Sequence, residues 1–344
     1  MSAKRTRKSK APAILGMVLL LIAAIAVYKT FGPNTGSLSR GEFLYIHTNA
    51  RFDEVQKELE EGGYISDMFS FNLLAKAAKY PDRVHAGKYK ISRGMSNFNI
   101  IRMLRSGRQT PVKLVINKLR TKHDLTHLIG THLEADSNQV FSLLTDSTFL
   151  AGYGLDTNTA MCAIMPDTYE FFWNTDAEHA FEKIAKTFNA FWTDERRQQA
   201  QAKKLTVPQV VTVASIVEEE TNKNDEKPLI ASVYLNRYNK GMLLQADPTV
   251  KFAVGDFTIK RITGAYLGIA SPYNTYRVKG LPPGPICTPS KKSIEAVLMA
   301  PENNYLYFCA REDFSGYHNF ATNLADHMKN ARAYQQALDA RGIH

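Results

Sequence analysis

Residues 206–221 read TVPQVVTVASIVEEET, a helix that carries its own start signals. Thr206 suits the N-cap and Pro208 the first turn, and apolar residues then recur at helical spacing. At 100° per residue, Val210, Ala214 and Val217 form the centre of the buried face, flanked by Val211 and Val213. Three carboxylates follow and point in different directions. Glu219 falls opposite the stripe, in water. Glu218 lies beside Ala214 and Val211 at one edge of the apolar face, and Glu220 lies at the other. A carboxyl at such an edge is partly desolvated, which raises its pKa. An acid kept protonated near neutral pH on a rigid helix suits protonation of a leaving-group oxygen. A solvated acidic helix end is the commoner fate of such a run, so the function rests on its surroundings.

The chain has 344 residues, 44% hydrophobic and 22% charged. That length suits two domains, or one large one with a small partner, and the composition indicates neither a disordered chain nor a polytopic membrane protein. Lys4, Arg5, Arg7, Lys8 and Lys10 form a cytoplasmic basic tail over residues 1–10. They precede an apolar stretch, expected as a transmembrane anchor over 11–30, whose part from Ala11 to Tyr28 carries no charge. The basic flank keeps the N-terminus cytoplasmic and exports the rest from an inner membrane. An uncleaved anchor is preferred to a signal peptide cut at Ala24-Ile25-Ala26. Without those five cations the net charge of +10 drops to about +5, which suits an anionic surface or polymer. Nothing resembles a nucleic-acid module. Cys162, Cys287 and Cys309 are odd in number; a Cys287–Cys309 pair stays open, a buried free thiol is the expectation for Cys309, and no redox role is assigned.

A Gly/Asn/Pro/Ser-rich linker over 31–41 leads into a compact α+β module over 42–117. Its elements are a strand at 43–46, helices near 51–61 and 66–79, a strand around Tyr89, a third helix in NFNIIRMLRSG and a closing strand at 112–116. From 118 to 344 helices dominate, among them one long helix over 177–202. The later elements are separated by the loops LLQADPTV, ASPYNTY and GLPPGPICTPS. His123, His127 and His132 contain an i, i+4 pair, but it lacks a zinc-protease Glu and a further ligand, so no metal and no cofactor is expected.

Five segments, in this order and spacing, resemble the endolytic murein transglycosylases, the MltG or YceG-like family. They are MPDTYEFFWNT around Pro166 to Tyr169, ASIVEEET around Glu218, SVYLNR with LLQADPTV, SPYNTY with GLPPGPI, and YLYF with GYHNF and His327. The first module, with HAGKYKI and MLRSG, looks like the LysM-like domain that the family carries. The implied fold class is α+β: a small LysM-like α+β module, then a larger, mostly helical α+β catalytic domain, behind one transmembrane helix. Departures occur at Asn117-Lys118-Leu119-Arg120, where the family usually has a Pro-Glu-Gly-like turn, and at Thr288-Pro289-Ser290. Glu219 stands where relatives often have Lys.

The resemblance implies cleavage between N-acetylmuramic acid and N-acetylglucosamine in peptidoglycan strands, leaving 1,6-anhydro ends. Because the muramic 6-hydroxyl replaces the second carboxylate of an ordinary glycosidase, one acid/base suffices. The helix wheel does not separate Glu218 from Glu220; the resemblance assigns the role to Glu218 and leaves Glu220 as a structural partner. Gln245, Asp247, Tyr273, Asn274, Tyr276, His318 and Asn319 are the expected substrate-binding residues, their amides, hydroxyls and rings suiting sugars. Asp167 is expected to cap or bond backbone. The implied partners are nascent glycan strands and peptidoglycan synthases (penicillin-binding proteins), with termination of strand growth as the role. Two rivals are a hydrolase using Asp247 or Glu220 to activate water and a non-catalytic glycan-binding scaffold.

Overall fold

The computed structural model describes residues 10–259 and 261–342, so Lys4, Arg5, Arg7 and Lys8 lie outside the described residues. The chain divides into two compact units. One runs to Val112 and takes in Glu170–Thr175; the other holds Lys113–Tyr169 and the chain from Asp176 onward.

The first unit begins with α1 (Ala11–Phe31), apolar and long enough to cross a membrane, with no residue buried. Then follow β1 (Phe43–Ile46), α2 (Phe52–Glu61), α3 (Met68–Ala77), β2 (Gly87–Lys90) and α4 (Asn97–Arg105). β1 and β2 pair antiparallel, with Leu44 opposite Tyr89. Alternation sends both inward, where they meet Val55, Leu59, Phe71, Ile100 and Leu104 in one core. Trp173 belongs to this unit and lies edge-on to Tyr45 and His47. The segment expected as a linker is fastened rather than free. Asn34 N donates to Met95 O, its side-chain amide donates to Asn97 Oδ1 at 2.7 Å, and Gly36 N donates to Tyr64 O.

β3 (Val112–Ile116), which begins at the division between the units, alternates buried and exposed as read, but it pairs with β4 (Asp167–Phe171) and not with β1 or β2. Periodicity fixes which face of a strand is buried, not which strand it joins. Between these strands lie α5 (Lys122–His132), α6 (Ser137–Leu143) and α7 (Ser147–Ala151). The single helix expected over 177–202 is two, α8 (Ala177–Phe191) and α9 (Asp194–Ala202). Thr193 makes the break: its hydroxyl accepts from Arg196 N, and Asp194 and Glu195 fill the first turn of α9.

α10 (Val207–Glu220) starts with a full capping box between Thr206 and Gln209. Every residue from Val210 to Val217 is buried, Thr212 and Ser215 included. Ser215 is satisfied there, donating to Thr212 O and accepting from Ile286 N. Around α10 pack α9, α11 (Lys227–Asn239), α12 (Asp247–Val254) and, after the short α13 (Gly264–Leu267), α14 (Lys291–Leu298). The hairpin β5 (Tyr307–Ala310) and β6 (His318–Ala321) and the closing α15 (Leu324–Ala340) complete the unit. Cys162, Cys287 and Cys309 are all free thiols, Cys309 only half-buried.

Candidate active site

Because α10 is enclosed on all sides, its three carboxylates cannot sort simply into edge and water. Glu219, expected in solvent, receives Lys118 Nζ at 2.7 Å and Arg120 Nη2 at 3.1 Å, and its side chain is only 17% exposed. Burial would raise its pKa, but these two cations outweigh that and hold it below the usual value. Glu218 is bound just as firmly. Its Oε2 accepts from Ser290 Oγ at 2.7 Å, from Ser293 Oγ and from Lys227 Nζ at 3.0 Å. Burial pushes this carboxyl up, the two hydroxyls and the ammonium push it down, and the balance lies below its ordinary value. Lys227, 4% exposed, has its charge answered here. These bonds tie α10 to the first turns of α11 and α14.

Glu220 is in the opposite condition. It accepts one hydrogen bond, from Tyr234 Oη at 2.5 Å, and has no ion pair among the described residues. Burial is the largest influence on it. The Tyr234 bond lowers its pKa and the Asp247 and Glu219 charges raise it, and the carboxyl is pushed up to about 7. It lines a cavity of about 320 Å³ together with Tyr234, Arg237, Gln245, Asp247 and Tyr276.

Each wall of this cavity has a local cause. Asp247 opens α12 as its first residue, ahead of Pro248, and accepts from Tyr276 Oη at 2.6 Å. Gln245 sits at φ 54, in the left-handed region that favours glycine, held by its N–H to Thr275 O at 3.1 Å. Such a conformation costs about 1 kcal/mol or more and persists only where neighbours enforce it. Arg237, buried, donates to Leu306 O at 2.7 Å, Leu244 O at 2.7 Å and Gln245 Oε1 at 3.3 Å. It thereby ties α11 to β5 and to the Gln245 turn. His327 reaches the same cavity from α15, stacked on Tyr307 at 5.1 Å, with a buried Nδ1 that finds no hydrogen-bond partner among the described residues. Burial and the Arg237 charge lower its pKa, so it is neutral near pH 7.

Of the expected binding residues, the structure brings Gln245, Asp247 and Tyr276 together beside Glu220. The others lie elsewhere. Asn274 is fully buried; its amide donates to Leu267 O and Ile269 O and its Oδ1 accepts from Tyr276 N, so it shapes the SPYNTY loop without facing the cavity. Tyr273 packs on Phe252 at 4.7 Å. His318 turns to Glu226, with Nδ1 2.7 Å from Oε2, and Asn319 donates to Glu312 at the surface. Asp167 accepts from Lys291 Nζ and from Thr168 N. His123 stacks on Phe141 and His132 Nδ1 lies 2.9 Å from Leu128 O. Tyr234 and Arg237 were missed as site residues. Their signal was in SVYLNR, where a tyrosine and an arginine interrupt an otherwise apolar helix face and must find polar partners inside.

An α-helical unit around a buried helix, with a lone raised-pKa carboxyl in a polar cavity, has the form of an acid/base enzyme site. The YceG-like family pattern matches residues 44–333, and the chain belongs to that family. An endolytic murein transglycosylase from Bacillus subtilis (strain 168) is 31% identical over 265 residues, covering 72% of each chain. Another, from Streptococcus pneumoniae serotype 2 (strain D39 / NCTC 7466), is 26% identical over 320 residues; these are 83% of this chain and 57% of that relative's length. A crystal structure of a yceG-like protein from Listeria monocytogenes aligns with a TM-score of 0.56 at 28% identity, covering 83% of this chain and 98% of that one. Lys118 and Arg120, in the turn expected to depart from the family pattern, both reach Glu219.

Proposed function

We propose that this chain is a membrane-anchored endolytic transglycosylase of peptidoglycan strands, with Glu220 as its acid/base. The observation that carries the reading is Glu220 itself: a carboxyl with a pKa of about 7, opening onto a cavity lined by Gln245, Asp247 and Tyr276. Near neutral pH about half of it is protonated, so it can give a proton to the glycosidic oxygen as the bond to the muramic carbon breaks. The carboxylate so formed takes the proton of the muramic 6-hydroxyl as that oxygen closes the 1,6-anhydro ring. The acid is restored and no water is consumed. Glu218 accepts from Lys227, Ser293 and both the backbone N and the hydroxyl of Ser290, which hold its pKa below the ordinary value, so in this reading it serves as a structural tie and not as the acid. The unpaired Nδ1 of His327 and the Gln245 amide are suited to bind sugar hydroxyl and N-acetyl groups.

Around this centre, α1 supports anchoring, with the catalytic unit outside the cytoplasm. The strand–helix–helix–strand order of β1, α2, α3 and β2 supports the LysM-like reading of the first module. Termination of strand growth beside penicillin-binding synthases is consistent with an endolytic cut close to the bilayer. Mass spectrometry of fragments released from uncross-linked strands tests the chemistry. Anhydro-muramic ends from the wild type and none from Glu220→Gln are expected. Hydrated reducing ends would instead make the enzyme a hydrolase with Asp247 activating water, and no fragments from the folded wild type would make it a scaffold.

A further inference from the structure

A second cavity, of about 530 Å³, lies wholly within the first unit, between α3, α4 and the C-terminal end of α1, where Thr30 lines it. Its apolar wall includes Leu74 and Ile101, and Phe98 closes one side. Its polar wall is three guanidiniums, Arg83, Arg102 and Arg105. None of the three has a salt bridge among the described residues, and Arg105 Nε is buried without a hydrogen-bond partner. Arg83 and Arg102 are exposed, and the buried Arg105 Nε is the group that most needs a partner; by contrast Arg40 pairs with Glu58 and Glu61, Lys29 with Asp67 and Lys90 with Glu42. Three unanswered arginines around an apolar hollow are complementary to an anionic group with a hydrocarbon tail.

Position selects the ligand further. The 21 residues of α1 span about 31 Å at 1.5 Å per residue, the thickness of a bilayer core. Thr30 therefore stands at headgroup level, and the end of α1 is fixed to the unit by Lys29–Asp67 at 2.7 Å and by Asn97 Nδ2 donating to Lys29 O at 2.9 Å. Phe69, Leu73 and Phe98, 81%, 63% and 44% exposed, sit on the same two helices that wall the cavity. They are placed to enter the interface beside it.

We propose that this cavity binds the phosphate of an anionic membrane lipid, with the guanidiniums on the headgroup and the apolar wall along the start of the tail. The inference rests on reading α1 as a membrane anchor. The test uses the full chain in bilayer nanodiscs of equal phosphatidylcholine and phosphatidylglycerol, with native mass spectrometry of the lipids retained. Wild type retains phosphatidylglycerol preferentially. Arg102→Gln/Arg105→Gln loses that preference by roughly 25-fold, at about fivefold per arginine. Arg93→Gln/Arg108→Gln, which removes the same charge outside the cavity, leaves it unchanged. Equal retention of both lipids by wild type, or equal loss in the two double variants, would overturn the site. Displacement of the lipid by inorganic phosphate at comparable concentration would overturn the lipid assignment. Carbonate extraction of wild-type membranes separates the premise: if the chain washes off, the anchor reading falls and the lipid site with it. If it stays while lipid preference is absent, only the site falls.

Discussion

Glu218 and Glu220 are two positions apart on α10, yet the pKa of one is held below the ordinary carboxyl value and that of the other is pushed up to about 7. Their mutational signatures should therefore differ in kind. Glu218→Gln removes the charge that answers nearly buried Lys227, and stripping one partner from such a pair costs about 3–5 kcal/mol. Chemical denaturation of that variant should show this loss. Since the folded pKa of Glu218 lies below its ordinary 4.5, its contribution is present above that value and fades as pH falls through the folded one. Glu220 has the reverse sign. Its folded pKa of about 7 exceeds the ordinary 4.5, so the folded chain binds the extra proton, and stability falls as pH rises between those values. Glu220→Gln should leave the protein as stable at pH 5 and more stable at pH 8, by up to about 3 kcal/mol. Activity that needs the protonated acid should decline as pH rises through about 7, a limb absent from the variant's residual rate.

The residue scale also shows what the sequence could and could not disclose. The helix signals of 206–221, the Thr206 cap and Pro208, were legible because they are local. The fate of its carboxylates was not. A wheel assumes one wet side, and α10 has none; what decides each pKa is a hydroxyl or cation from α11, α14 or the 118–120 turn. Gln245, Asp247 and Tyr276 were expected as binding residues by resemblance, and the structure gathers them around one cavity with Glu220. Asn274 has the same polar chemistry, but its bonds go to its own loop, which no spacing reveals.

Among the elements, Asn97 at the head of α4 is the joint of the first unit. It is fully buried, donates to Lys29 O and Ser70 Oγ, and accepts from Asn34. Three separate segments, the end of α1, the segment after it and α3, meet on one side chain. Asn97→Ala leaves at least one of these buried groups unpaired, a cost of about 1–3 kcal/mol. Hydrogen exchange on the full chain should show faster exchange at Asn34 and Gly36, with the amides of α10 unchanged. The break between α8 and α9 was missed for a related reason: the amphipathic pattern continues through Trp192, and only the capping by Thr193 ends it.

For the whole molecule, the units divide at Val112, and Glu170–Thr175 returns to the first unit from within the second. Sequence order could not show this, because a segment's contacts need not follow its neighbours along the chain. The apolar helix α1 was the most legible feature of all, since length and apolarity suffice to mark a candidate membrane span. The full chain should accordingly resist carbonate extraction from membranes, and deletion of residues 1–31 should release it.

The most direct measurement is the rate of anhydro-end formation on uncross-linked strands at pH 6.5 by wild type, Glu220→Gln and Glu218→Gln, each scaled to its folded fraction. Glu220→Gln should fall by roughly 10²- to 10⁴-fold, the worth of a positioned acid/base, while folded Glu218→Gln keeps most of its rate. An active Glu220→Gln beside an inactive, fully folded Glu218→Gln would contradict the assignment and return the catalytic role to Glu218.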